Sequence, residues 1–285
     1  MKLYKLDFDR VHLGRSSLGE SMNYIYADTL FSALCIEALD MGGEEKLKDL
    51  IDFVEVGAIQ FTDGMPYVED SYYIPKPILN VKVQIGLEGD SDAKKAFKHL
   101  EYIPIGKLQD YVSGNFLVED VEETKKEFKL LGSESVMTRV SIEEGIEPTP
   151  YQVGIFTFKK EAGLYVLAKE NDLFEELLRR LRYTGLGGKR SSGLGRFELD
   201  IVDVPKGFEE LITEANADQY VSLACCLPRE KERKSIIEDE RTSYKLIKRS
   251  GFVYSDTYAD QFVRKKDLYV FAAGSVFGSR FEGDV

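Results

Sequence analysis

The 285-residue sequence has no tryptophan, two histidines (His12 and His99) and three cysteines (Cys35, Cys225 and Cys226). An odd, sparse cysteine set excludes a disulfide-stapled secreted scaffold and fits buried thiols in a reducing compartment. Adjacent residues of an extended run point to opposite faces, so Cys225 and Cys226 do not form a two-ligand claw. No metal and no cofactor is expected. Nowhere does an apolar run reach 18 residues, and the opening MKLYKLDFDR meets an acidic residue too early for a secretory signal. The expectation is a soluble, cytoplasmic protein without membrane contact. The HExxH, CxxC, GxSxG and P-loop patterns are missing, as is any HxH pair, so the chain carries none of these catalytic signatures.

What is there is a globular composition: 43% hydrophobic and 12% aromatic residues, with 16 Tyr and 17 Phe. That excludes a mainly disordered polymer, and the length allows one large domain or two ordinary ones. Fifty acids against 38 Lys and Arg give a net charge of −12. A whole surface coated with nucleic acid is thereby disfavoured, but a local basic groove is not.

Along the chain, Tyr4, Leu6 and Phe8 alternate with Leu3, Lys5 and Asp7 as a strand. Asp28 can cap a helix through about Leu39, with Phe31, Leu34, Cys35, Ala38 and Leu39 as its apolar side and the Gly pair at 42–43 as its stop. Residues 53–61 read as a strand ending at Asp63-Gly64, another begins near Pro66, and 79–87 alternates well. Residues 88–150 read as an insertion of hairpins and loops. Residues 151–158 and 164–168 read as a hairpin turning at Glu161–Gly163. Asp172 opens a helix, with Glu175 placed for a capping box and Phe174, Leu177, Leu178 and Leu181 as its buried stripe, and a strand follows at 194–202. Further strands are expected at 220–227, 244–254 and 268–272. The predicted fold is α+β: tandem ferredoxin-like (RRM-like) modules, the first at 1–204 with its insertion at about 88–150, the second and smaller at 205–285.

Residues 179–197, RRLRYTGLGGKRSSGLGRF, carry six cations, five glycines and no acid. Glycines let backbone N–H groups approach a polyanion, and arginine forks engage phosphate oxygens in pairs. The order is helix, glycines, strand, the reverse of a P-loop. The alternative is a solvated loop whose Arg179, Arg180 and Arg182 complement the helix C-terminus. Fainter basic features are His12, Arg15, Ser16 and Ser17 in a Gly-bounded loop, the YYIPKP segment with Tyr72, Tyr73 and Lys76, the trio Lys245, Lys248 and Arg249, and the run Arg264–Lys266. Each of these also reads as structure or solvated charge. On paper His12, Tyr24 and Lys189 could supply a metal-independent ribonuclease.

The segments FTDGMPYVEDS and YIPKPILNV, the GLGGKRSSGLGRF loop and the closing FAAGSVF resemble the repeat-associated RNA-binding (RAMP) proteins of CRISPR systems. The resemblance spans nearly the whole chain and is strongest to the Csm-complex subunits that cap the guide RNA 5′ handle in type III-A effectors. His12, Leu13, Gly14, Ser17 and Leu18 match the opening of that family. Tyr72, Tyr73, Pro75, Lys76 and Pro77 match its internal signature, and Gly274, Ser275, Val276 and Phe277 its closing motif. Arg139 with the following VSIEEGIEPTPYQVGIFTF resembles the segment that enters the RNA-binding side. The resemblance implies a non-catalytic subunit that binds the 5′ handle of the CRISPR RNA, sits against the large polymerase-like catalytic subunit and contacts an adjacent backbone subunit. The expected RNA-binding set is His12, Arg15, Ser17, Tyr72, Tyr73, Lys76, Arg139, Gly187, Gly188, Lys189, Arg190, Ser191, Arg196 and Gly274. Lys189 and Arg190, with the amides of Gly187 and Gly188, are expected to clamp phosphates, and Tyr73 or Phe197 to stack on splayed bases. The rival readings are a metal-independent endoribonuclease that processes repeat RNA and a protein-interaction subunit with little RNA contact.

Overall fold

The computed structural model describes residues 1–15, 17–79, 91–141, 147–214, 217–252 and 263–283, with side chains described from 95 onward in the second helix. Two compact units emerge: Met1–Lys76 with Asn80–Ala215, and Pro77–Leu79 with Asn216–Val285.

In the first unit the order is β1 (Lys2–Phe8), β2 (Arg10–Val11), α1 (Ala27–Glu55), β3 (Met65–Val68), β4 (Ser71–Pro75), α2 (Ser91–Lys98), β5 (Tyr102–Pro104), α3 (Leu108–Ser113), α4 (Val118–Phe128), β6 (Gly132–Ser141), β7 (Thr149–Phe158), β8 (Ala162–Ala168), α5 (Asp172–Thr184), β9 (Phe197–Asp203) and α6 (Lys206–Thr213). Six strands form one antiparallel sheet in the order β5-β4-β3-β8-β1-β9, and three form a second in the order β2-β7-β6. The fold is therefore α+β with antiparallel sheets.

Alternation places Tyr4, Leu6 and Phe8 of β1 in one core with Leu164 and Val166 of β8. The same core takes Leu30 and Leu34 of α1 and the whole Phe174, Leu177, Leu178 and Leu181 stripe of α5. Burying such a side chain stabilises by about 1.5–3 kcal/mol, so this stripe fixes α5 on the sheet.

Several sequence expectations are corrected. The helix at 27 does not stop at Gly42–Gly43. It breaks there, with Gly43 at φ 67°, and resumes to Glu55. Residues 44–55 continue in helix-forming side chains and bury Leu50, so Phe53, Val54 and Glu55 are helical rather than the start of a strand. The carboxylate at the helix start is that of Asp63, which accepts the Ala27 N–H at 2.8 Å. The α5 cap lies one residue earlier than expected: Asn171 Oδ1 accepts the Phe174 N–H, and Glu175 pairs instead with Arg179 at 2.7 Å. The described part of the insertion is largely helical. In α4, Asp120 accepts the Leu117 N–H, acids fill the first turn, and lysines fill the last. Its hairpin is β6–β7, and β7 does not pair with β8. The Lys159 N–H bonds Leu131 O, and Glu161 adopts φ 61°, so the chain leaves one sheet for the other at that corner. Of the 79–87 alternation, residues 80–87 lie outside the described residues, as does Ser16.

The second unit contains β10 (Tyr220–Val221), α7 (Glu230–Glu238), β11 (Leu246–Arg249), β12 (Leu268–Phe271) and β13 (Val276–Phe277). β10 pairs with β13 and β11 with β12, all antiparallel. Ile236 of α7 packs with Phe271 and Phe277. The expected strand at 220–227 is reduced to two residues plus a single Cys226–Phe271 bridge. All three cysteines are free thiols and half-buried rather than fully buried. No helix among the described residues is long and apolar enough to cross a membrane.

Candidate nucleic-acid interface

Three segments of the first unit meet over β7: the loop after β2, the glycine-rich loop between α5 and β9, and the β6–β7 hairpin. His12 is buried, and its Nδ1 lies 2.7 Å from Gly154 O of β7. The Gly154 N–H in turn donates to Leu18 O. A Cβ at Gly154 would lie 2.5 Å from Gly19 O, so the first loop crosses β7 at backbone contact. Ser21 ties that loop shut, accepting the Leu13 N–H and donating to Val11 O.

The glycine-rich loop closes on the same place. The Gly188 N–H donates to His12 O at 2.9 Å, and the Gly195 N–H to Arg10 O. Leu194 is buried against Val153 and Ile155, with Met137 and Tyr151 beside them. Its helical root is anchored by Glu37, a buried carboxylate of α1 that accepts from the Thr184 hydroxyl and lies 3.8 Å from the Arg180 guanidinium.

Lys189 sits at φ 59°, a left-handed conformation that costs a non-glycine residue of order 1–3 kcal/mol. This strained backbone carries its Nζ over the Tyr151 ring, 4.7 Å from the centroid and 3.4 Å from the hydroxyl. Arg139 is the direct cross-strand neighbour of Tyr151, so both side chains leave the hairpin on one face. The Arg139 Nε is buried and meets no acceptor among the described residues. One cation thus sits over an aromatic ring whose cross-strand neighbour is a second cation, an arrangement that suits a phosphodiester with adjacent bases. Arg15, Ser17, Ser191 and Arg196 are exposed on the connecting loops. Arg190 Nη1 lies 3.5 Å from Gly185 O, so it partly braces its own loop.

Other expected residues go elsewhere. Tyr73 is buried in the core, donates to Glu127 at 2.8 Å and meets Phe128 edge-on, while Phe197 packs on Phe8. Neither ring offers a face to a base. Tyr72 packs edge-on against Tyr165. The Lys76 ammonium donates to Phe97 O at 2.6 Å, and burial pulls its pKa below the usual lysine value. The Gly188 amide is spent on His12 and does not face outward. Gly274, in the second unit, accepts the Ile78 N–H and donates to Ser222 O. The helical half of the basic run is neutralised from elsewhere in the chain, Arg179 by Glu175, Arg180 by Glu37 and Arg182 by Glu198 at 3.6 Å. Tyr151 was missed by sequence reasoning. Its signal, an aromatic after Thr149-Pro150, acquires meaning only once the hairpin register sets it opposite Arg139.

A family model described as the CRISPR Csm4 C-terminal domain matches residues 215–285. A Mycobacterium tuberculosis protein, CRISPR system Cms protein Csm4, is 37% identical over 287 residues, spanning 100% of this chain and 90% of its own length. A Streptococcus thermophilus protein of the same name is 35% identical over 290 residues, spanning 100% and 91%. In fold, the chain is similar to a crystal structure of a Csm3–Csm4 subcomplex of the type III-A CRISPR-Cas interference complex, with a TM-score of 0.68, 20% identity and coverage of 100% and 94%. It is also similar to a Csm1–Csm4 cassette in complex with AMPPNP, with a TM-score of 0.56, 18% identity and coverage of 96% and 86%.

Proposed function

The chain belongs to the Csm4 family of CRISPR systems, and from that membership we propose that it is the non-catalytic subunit of a cytoplasmic type III-A effector that holds the 5′ repeat-derived handle of the CRISPR RNA. It joins the large polymerase-like subunit to the adjacent backbone subunit. The similar structures that contain Csm1 in one case and Csm3 in another support this pair of partners. The strand order β9-β1-β8-β3, with α1 and α5 as the crossovers, supports reading the first unit as ferredoxin-like. We extend that reading to the smaller second unit.

The observation that carries the RNA assignment is Lys189 held over Tyr151 with Arg139 alongside. Replacing Lys189 and Arg139 together with Ala should weaken binding of handle RNA and lower the salt slope by about 1.4, at roughly 0.7 per lost phosphate contact on a single strand. Filter-binding curves that are unchanged across the salt range overturn the assignment. His12, the candidate catalyst of the endoribonuclease reading, is buried with Nδ1 engaged by Gly154 O, which supports the non-catalytic reading. Specific cleavage of repeat RNA by the purified chain in chelator, lost in His12→Ala, would reverse it.

A further inference from the structure

The second unit carries an exposed basic ribbon that the proposed handle site does not use. From 244 to 269 the sequence holds six cations, Lys245, Lys248, Arg249, Arg264, Lys265 and Lys266, against three acids, of which Asp256 and Asp260 lie outside the described residues. The local balance is 6 − 3 = +3, in a chain of net −12. The third acid, Asp267, is shared, 2.7 Å from Lys248 and 3.1 Å from Arg264.

Lys248 and Arg249 lie on β11 and the other four cations flank the β11–β12 pair, whose register sets Lys248 directly across from Tyr269. Farther along the same ribbon an isolated bridge sets Phe252 across from Arg264. Tyr269 is 59% exposed and Phe252 63% exposed. Two rungs that each pair a cation with an exposed ring are therefore separated by four residues, a span of at most about 14 Å, comparable with a few nucleotides of extended strand. A sequence-tolerant single-strand binder needs this combination, rings for bases to stack on and cations that track the backbone.

We propose that the β11–β12 ribbon is a second binding surface for single-stranded RNA, recognised by stacking and phosphate contact rather than by base sequence. The excess of positive charge selects a polyanion over an apolar protein partner. The inference does not depend on the Lys189 site, and the two are tested apart.

The probe is a fluorescent oligouridylate of about twelve nucleotides, titrated by anisotropy into the full chain and into its Lys189→Ala variant. Tyr269→Ala with Lys245→Ala and Lys266→Ala should weaken binding about tenfold in both backgrounds and lower the salt slope by about 1.4. Asp267→Asn, which releases two cations from an exposed ion pair, should tighten binding. Because that variant predicts a gain, a general loss of folding cannot imitate it. Equal affinity for all three ribbon forms overturns the proposal. So does a ribbon variant that loses co-purification with the large subunit while binding oligouridylate normally. A loss confined to Lys189→Ala, with the ribbon variants silent, would leave the handle reading standing and remove this one.

Discussion

Gly188 donates its backbone N–H to the carbonyl oxygen of His12, and a Cβ at Gly188 would lie 2.7 Å from the imidazole Cδ2. The adjacent Gly187 is tighter still: at φ 86° its Cβ would lie 2.4 Å from His12 O. The glycines are therefore required by contact with the first loop as well as by backbone conformation. Gly187→Ala should cost about 2–3 kcal/mol, read in urea denaturation of the full chain. Gly193 shares the positive φ, at 82°, but a Cβ there meets nothing within 4 Å, so Gly193→Ala should cost about 1 kcal/mol. Equal costs at the two positions would show that close packing on His12 plays no part.

His12 itself should behave as a structural residue. Removing the ring leaves the buried Gly154 carbonyl without its side-chain partner, a loss of about 1–3 kcal/mol. In His12→Asn a side-chain amide can donate from nearly the Nδ1 position, so this variant should recover a measurable part of what His12→Ala loses. A repeat-RNA retention assay should follow the same rank as stability. If His12→Asn folds like the parent but loses all RNA retention, the imidazole has a direct ligand role.

The regular elements were legible where one period dominated. Tyr4, Leu6 and Phe8 repeat at two residues and Phe174, Leu177, Leu178 and Leu181 at helical spacing, and both sets lie in the core as their spacing requires. Legibility failed where the deciding partner was distant. Asp63 reaches Ala27 across 36 residues, a separation at which no local capping pattern exists. The acid-free look of 179–197 was a property of the chain and not of space, since Glu37 and Glu198 come to its arginines from other elements. Tyr72 and Tyr73 are neighbours of equal sequence character, and only the position of the core decides that Tyr73 is lost to it. Lys189, by contrast, was legible as a cation among glycines, while its aromatic partner waited on the β6–β7 register.

Tyr151 should matter through its ring. Tyr151→Phe keeps the face under the Lys189 ammonium, and its hydroxyl contact is long at 3.4 Å, so handle-RNA affinity should change less than twofold. Tyr151→Ala removes the platform that holds Lys189 in place and should weaken binding about tenfold. If Phe is as damaging as Ala, the hydroxyl is the contact that counts.

Glu37 is predicted to act by holding the end of α5. Its carboxylate is buried and takes the Thr184 hydroxyl with Arg180 nearby, so Glu37→Leu removes the carboxylate from both and leaves Thr184 only the Leu181 carbonyl oxygen at 3.3 Å. A loss of about 2–4 kcal/mol is expected, against a smaller loss for Glu37→Gln, which keeps an acceptor for Thr184. Thermal melting of the two variants decides, and a Leu variant as stable as the Gln variant would show that the buried carboxylate is dispensable.

Tyr4 is fully buried, its hydroxyl meets no partner among the described residues, and burial, followed by the charge of Glu175, pushes its pKa up to about 12. Tyr73 and Tyr165 are likewise raised above 10, chiefly by burial. A phenol whose folded pKa is raised contributes stability that is complete below its unfolded value near 10 and is lost as pH climbs through the folded value. Lys76 works the other way, because its lowered folded pKa lets stability improve as pH approaches the usual lysine value. Three fully buried tyrosines outweigh one half-buried lysine, so stability should fall above about pH 10. Tyr4→Phe separates this from general alkaline damage. At pH 8 it removes an unsatisfied buried hydroxyl and should stabilise by about 1 kcal/mol. At pH 11 the parent loses roughly 1.4 kcal/mol more at this one site, so the advantage of the Phe variant should grow by about that amount. An advantage that stays constant from pH 8 to pH 11 would mean that Tyr4 titrates alike in the folded and unfolded chains.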